Sequence, residues 1–198
     1  ADHQIYGYTR WNHHDFKSSI TTYFKRRFDT DMEEDWILYS PSVMYSVSLL
    51  IRLLSQPHDK VLTMNPMYDA FINVIKENDR ELLSHHLIKE EGTFKIDFDV
   101  FEKQAQESAL LLLCSPHNPT GRIWSDEEMH RMIQICKKYQ VKIISDEIHM
   151  DIRIKDAKHH PLMKYYDEYK EIFTASSSSK TLNTPGLIGS YVIIPDEK

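Results

Sequence analysis

Short apolar runs that alternate with helical patterns, several of them closing on a polar cluster, constrain this chain more than any other feature. The runs Lys60 to Met64, Glu81 to Ile88, Leu110 to Cys114, Val141 to Ser145, Glu171 to Thr174 and Ser190 to Ile194 have the length and apolar content of buried strands. Apolar residues at helical spacing predict helices over Asn12 to Arg27, Ser42 to Ser55, Tyr68 to Asn78, Phe98 to Glu107 and Asp126 to Tyr139. Ser42 reads as an N-cap, and Ser125-Asp-Glu-Glu128 as a capping box. Strand and helix in alternation predict βαβ units, hence an α/β fold with a mostly parallel sheet. In such sheets ligands bind outside the carboxyl ends of the strands. The amide of Asn118, the carboxylate of Asp146 and the amine of Lys180 each follow a predicted strand, so they are expected to converge on one ligand.

The 198 residues are enough for one large domain with a sizeable core. With 41% hydrophobic and 27% charged residues, and no apolar run long enough to span a bilayer, the chain reads as soluble and without membrane contact. The opening Ala1-Asp-His-Gln4 does not read as a signal peptide. A net charge of -6 with mixed signs argues against a nucleic-acid surface, which needs a clustered positive face. Arg26-Arg27 and Lys137-Lys138 read as solvated helix ends. The two cysteines, Cys114 and Cys136, suggest reduced thiols and a cytoplasmic setting. Among the 11 histidines, the pairs His13-His14, His85-His86 and His159-His160, and Cys114 with His117, lack metal-site spacing, so no metal is expected and these histidines are predicted to lie on the surface.

Four motifs in order carry a resemblance: Tyr6-Gly-Tyr-Thr9, Ser115-Pro-His-Asn-Pro-Thr-Gly-Arg-Ile-Trp124, Ser145-Asp-Glu-Ile-His149 and Ser179-Lys-Thr-Leu-Asn183. Together they resemble the fold type I enzymes that use pyridoxal 5'-phosphate (PLP), the class I/II aminotransferase superfamily. Within it the chain looks most like the carbon-sulfur lyases of the cystathionine β-lyase and cystalysin kind. The resemblance implies a three-layer α/β sandwich, the large PLP-binding domain, over residues 1–198. Members of that family are about twice this length, so an N-terminal arm and a C-terminal small domain, with its carboxylate-gripping arginine, are expected to be missing.

The resemblance assigns roles that the residue chemistry supports. Lys180 is the expected Schiff-base lysine, able to hold the cofactor aldehyde and then act as base at the same carbon. Asp146 is expected to face the pyridine nitrogen and keep it protonated, and Asn118 and His149 to donate to the ring's phenolic oxygen. Tyr68 falls where the family places an aromatic cover over the ring. The helix-start amides of Val43 and Met44, with the hydroxyls of Ser177 and Ser179, are expected to grip the phosphate. Tyr8 resembles the tyrosine that reaches the partner subunit's phosphate, which implies a homodimer with shared sites. Asp69 stands where relatives usually have a second tyrosine. Ile188, eight residues after Lys180, stands where ordinary aminotransferases carry an arginine, and His149 stands where many have tyrosine. The implied substrate is a small amino acid such as cystathionine or cysteine, cleaved to a thiol, pyruvate and ammonia. An aminotransferase and a non-catalytic truncated relative remain the alternatives.

Overall fold

The computed structural model describes residues 13–152 and 157–195. Tyr8, with the rest of Tyr6 to Thr9, lies outside the described residues.

The elements in chain order are α1 (His14–Phe28), β1 (Ile37–Ser40), α2 (Val43–Leu54), β2 (Lys60–Asn65), α3 (Asp69–Glu77), β3 (Glu81–His86), β4 (Ile88–Glu90), β5 (Thr93–Lys95), α4 (Phe98–Ala105), β6 (Leu110–Cys114), α5 (Asp126–Tyr139), β7 (Lys142–Asp146), β8 (Ile172–Ser176) and β9 (Ser190–Ile193). Seven strands form one sheet in the order β1-β9-β8-β7-β6-β2-β3. From β3 through β8 neighbouring strands run parallel, whereas β9 is antiparallel to both β8 and β1.

Period-two alternation along the inner strands builds three layers. Leu110, Leu112 and Cys114 of β6 pack with Val47, Ile51, Phe71 and Ile75 of α2 and α3. Leu111 and Leu113 point the other way, into a cluster with Phe24 of α1, Phe101 of α4 and Met132 of α5. Both faces of β6 are fully covered, which explains its uninterrupted leucine run. Ser42 caps α2 by accepting from the Tyr45 amide, and Ser125 and Glu128 complete the capping box of α5.

The predicted strand Glu81 to Ile88 stops at His86, and Ile88 begins the separate β4–β5 hairpin, whose first strand is exposed. β1, with only Ile37 and Ser40 buried, carries too weak a pattern to be expected from sequence. α4 ends at Ala105 rather than Glu107, and β8 runs Ile172–Ser176 rather than Glu171 to Thr174. His85, His117 and His159 are buried rather than on the surface, because Gln104, Thr120 and Glu147 respectively supply polar partners. Among the described residues no group of three or more His, Cys, Asp or Glu is placed to hold a metal, and no helix is long and apolar enough to cross a membrane.

Leu112, wholly buried between β6 and the α2–α3 layer, tests this packing. Leu112→Ala is expected to lower unfolding free energy by about 2–5 kcal/mol in denaturant titrations. A loss below about 0.5 kcal/mol, the scale of surface substitutions, would contradict its inner position.

Candidate active site

Parallel strands β2, β6, β7 and β8 end at one edge of the sheet, and the chain leaves each of them into a polar loop. A cavity of about 480 Å³ opens there. Its lining includes Lys180, Asp146, Asn118, His149, Tyr68, Val43, Met44, Ser177 and Ser179. Every described residue singled out in the sequence for this chemistry therefore borders one space.

Each group is held by a local device. Asn118 rides on the loop after β6, in which Gly121 adopts φ +72°, a region costly for other residues. The Gly121 amide donates to His117 O at 2.7 Å, and the Asn118 amide to Cys114 Sγ at 3.4 Å. Trp124 closes the loop from behind by donating from Nε1 to Cys114 O at 3.1 Å. Tyr68 precedes α3, its ring edge-on to buried Phe71 at 6.0 Å between centroids.

Asp146 is the last residue of β7 and is only 5% exposed. Its carboxylate accepts from the Ile148 amide at 3.1 Å. Burial, opposed by that hydrogen bond and reinforced by Glu147, lifts its pKa from 3.8 to about 6. A carboxylate held this way gains most from a cation placed against it. His149 is shifted the opposite way: burial first, then the Lys180 charge, lower its pKa and favour the neutral ring.

At the other side of the cavity the first amides of α2 lack partners within the helix, as at any helix start, and the dipole end is positive. Ser42 satisfies the Tyr45 amide at 3.2 Å. A serine network seats this helix start: Ser46 donates to Ser40 Oγ at 2.7 Å, Ser40 to Ser42 O at 3.1 Å, and Ser190 to Ser40 O at 2.9 Å. Sequence reasoning missed Ser40, Ser46 and Ser190, as it missed the cavity-lining Cys114 and Ile148. Only the unpredicted pairing of β1 with β9 brings Ser40 and Ser190 together. The Ser177 hydroxyl donates to Gly189 O at 2.8 Å and accepts from the Ser179 amide at 3.2 Å, so it braces the loop that carries Lys180.

The arrangement offers an amine, a cation-seeking carboxylate, an amide, a neutral imidazole and an anion-accepting helix start around one cavity. A flat, anionic ring with a basic nitrogen and an electrophilic carbon fits that donor set.

Comparison with known proteins agrees with this description. The profile of the aminotransferase class I and II family matches residues 1–197, and the chain belongs to that family. It is 33% identical over 198 residues to cystathionine beta-lyase PatB of Bacillus subtilis (strain 168), covering 98% of this chain and 51% of that protein. Protein MalY of Escherichia coli (strain K12) is 36% identical over 194 residues, covering 97% of this chain and 49% of its own. The crystal structure of the PLP-bound C-S lyase from Staphylococcus hominis superposes with a TM-score of 0.94 at 32% identity, covering 99% of this chain and 52% of that one. The chain spans about half the length of the curated relatives it matches.

The raised Asp146 pKa has a signed consequence. The folded protein holds this proton more tightly than the unfolded chain, so the ligand-free protein is expected to lose stability as pH rises from about 4 to about 6. That loss is at most about 3 kcal/mol. In urea titrations at pH 4 and pH 7, Asp146→Asn is expected to lack this component of the pH dependence. Identical pH dependence in both proteins would mean that the carboxylate is solvated.

Proposed function

We propose that this chain is the PLP-binding large domain of a carbon-sulfur β-lyase, which releases a thiol, pyruvate and ammonia from a cysteine thioether. One observation carries the reading: Lys180, Asp146, Asn118, His149 and the α2 start line a single cavity at the carboxyl edge of the sheet. The names of PatB and the Staphylococcus hominis C-S lyase, and the PLP in the latter, point the same way.

The residue roles follow from their chemistry. When bound, PLP supplies an electron-withdrawing ring that lowers the cost of removing a proton from the substrate Cα. Lys180 Nζ is the covalent anchor for its aldehyde carbon. Once free, Nζ would stand ready to take the Cα proton. Asp146 holds a proton on the ring nitrogen, and the mutual attraction lowers its own pKa again. Asn118 and the neutral His149 donate toward the phenolic oxygen. Tyr68 covers the ring face, and Val43, Met44, Ser177 and Ser179 hold the phosphate. Ile188 puts no guanidinium in the phosphate's neighbourhood at the position where ordinary aminotransferases carry one, which favours the lyase over the transaminase.

The same reading includes a homodimer with sites shared across its interface. It also includes a cytoplasmic setting, consistent with two buried free thiols.

Borohydride reduction in the presence of PLP is expected to add the cofactor's mass to the peptide holding Lys180 and to no other, and Lys180→Ala to abolish that adduct. Trapping at another lysine would overturn the assignment. In a protein of the relatives' full length that carries this chain, a cysteine thioether is expected to yield pyruvate and free thiol. An intact keto-acid analogue of the substrate would instead identify an aminotransferase.

A further inference from the structure

The cavity explains which groups meet but not what holds Lys180 over them. Residues 178–184 form an exposed turn, with Lys180, Thr181, Leu182 and Asn183 all exposed. Its internal hydrogen bonds, Leu182 N to Ser178 O and Thr184 N to Ser179 O, each 2.9 Å, fix its shape. They do not fix where it sits. Among the described residues, one side chain of this turn is hydrogen-bonded to another element: Thr181 Oγ1 donates to Asp151 Oδ2 at 2.7 Å.

Asp151 is only 12% exposed and is itself tied down from α1. The Tyr23 hydroxyl donates to its other carboxylate oxygen, and Arg27 Nε lies 3.7 Å from that oxygen. The Tyr23 hydroxyl is pushed to a higher pKa by burial and by this carboxylate, so it stays a donor. Asp151 also lies on the segment that leaves β7 through Asp146 and His149, which is folded back by Met150 N to Glu147 O at 3.0 Å and Ile152 N to His149 O at 2.8 Å. One carboxylate thus joins the segment that carries Asp146 and His149 to the turn that carries Lys180, and anchors both to α1.

We propose that Asp151 is a positioning residue: acting through Thr181, it sets Lys180 at its distance from Asp146 and His149. The proposal rests on the reading of Lys180 as the cofactor's anchor. Asp151 touches none of the reacting atoms, and its effect belongs to the rate at which Lys180 meets an aldehyde seated in the cavity.

The test is a double-mutant cycle on capture of PLP by Lys180 in this chain, timed by borohydride quench and mass analysis of the Lys180 peptide. All measurements are made below the melting transition of every variant. Thr181→Val and Asp151→Ala are each expected to slow capture about tenfold, and the double variant no further, because both remove one link. Thr181→Ser, which restores the hydroxyl, is expected to stay within about twofold of the parent. Thr181 is exposed, so its variants keep the test valid even if Asp151→Ala fails to fold. A purely structural link would lower melting temperature and leave capture unchanged. Parental capture rates in Thr181→Val, or losses that multiply toward a hundredfold in the double variant, overturn the proposal alone. Absence of any adduct at Lys180 in the unsubstituted chain overturns the reading of Lys180 and this proposal with it.

Discussion

The in-register parallel pairing of β6, β7 and β8 is the constraint on which the rest depends. It sets Cys114 beside Asp146 and Asp146 beside Ala175, so these strands finish at one level. The ladder continues one step past each end, with Ser115 N bonded to Asp146 O at 3.0 Å and Glu147 N to Ala175 O at 2.9 Å. The loops that bear Asn118, His149 and Lys180 therefore leave from one line. A slip of one residue along β7 would turn Asp146 to the opposite face of the sheet. The antiparallel β9 then starts at this same edge with Ser190, and β1, paired against it, delivers the start of α2 there.

Charge is distributed along the cavity in a sense that suits a dipolar guest. The α2 start offers positive potential at one side, and the buried carboxylate of Asp146 seeks a cation at another. Beneath the site, Glu147 is fully buried yet satisfied: Ser145 Oγ donates at 3.1 Å, the Leu162 amide at 2.8 Å, and His159 Nε2 lies 3.2 Å away. A buried carboxylate so well paired costs little while its partners stay. It also ties the residue after Asp146 to the region of Leu162, which stiffens the floor of the cavity.

Much of this was legible because inner strands and caps write themselves locally. The leucine run of β6 declares burial on both faces, and Ser125 with Glu128 declares a helix start within four residues. Strand ends followed by Asn118, Asp146 and Lys180 pointed, by the same local logic, to the sheet edge where the cavity opens. What escaped depended on distant partners. β1 has only Ile37 and Ser40 buried, too few to signal a strand before β9 pairs with it. β4 merged with β3 because the apolar run from Leu87 to Ile88 hides the break. Buried His159 and the anchor Asp151 look like ordinary surface residues until Glu147, Tyr23 and Thr181 fold onto them. The placement of Ser40 against Ser190, 150 residues apart, could not be read from either end.

A crystal structure of this chain grown with pyridoxal 5'-phosphate tests the central claim most directly. The expected density is continuous with Lys180 Nζ. The ring nitrogen should lie within about 3 Å of an Asp146 oxygen, and the phosphate should be hydrogen-bonded to the Val43 and Met44 amides. A cofactor bound with its phosphate toward Asp146, or held outside this cavity altogether, would contradict the assignment of the site.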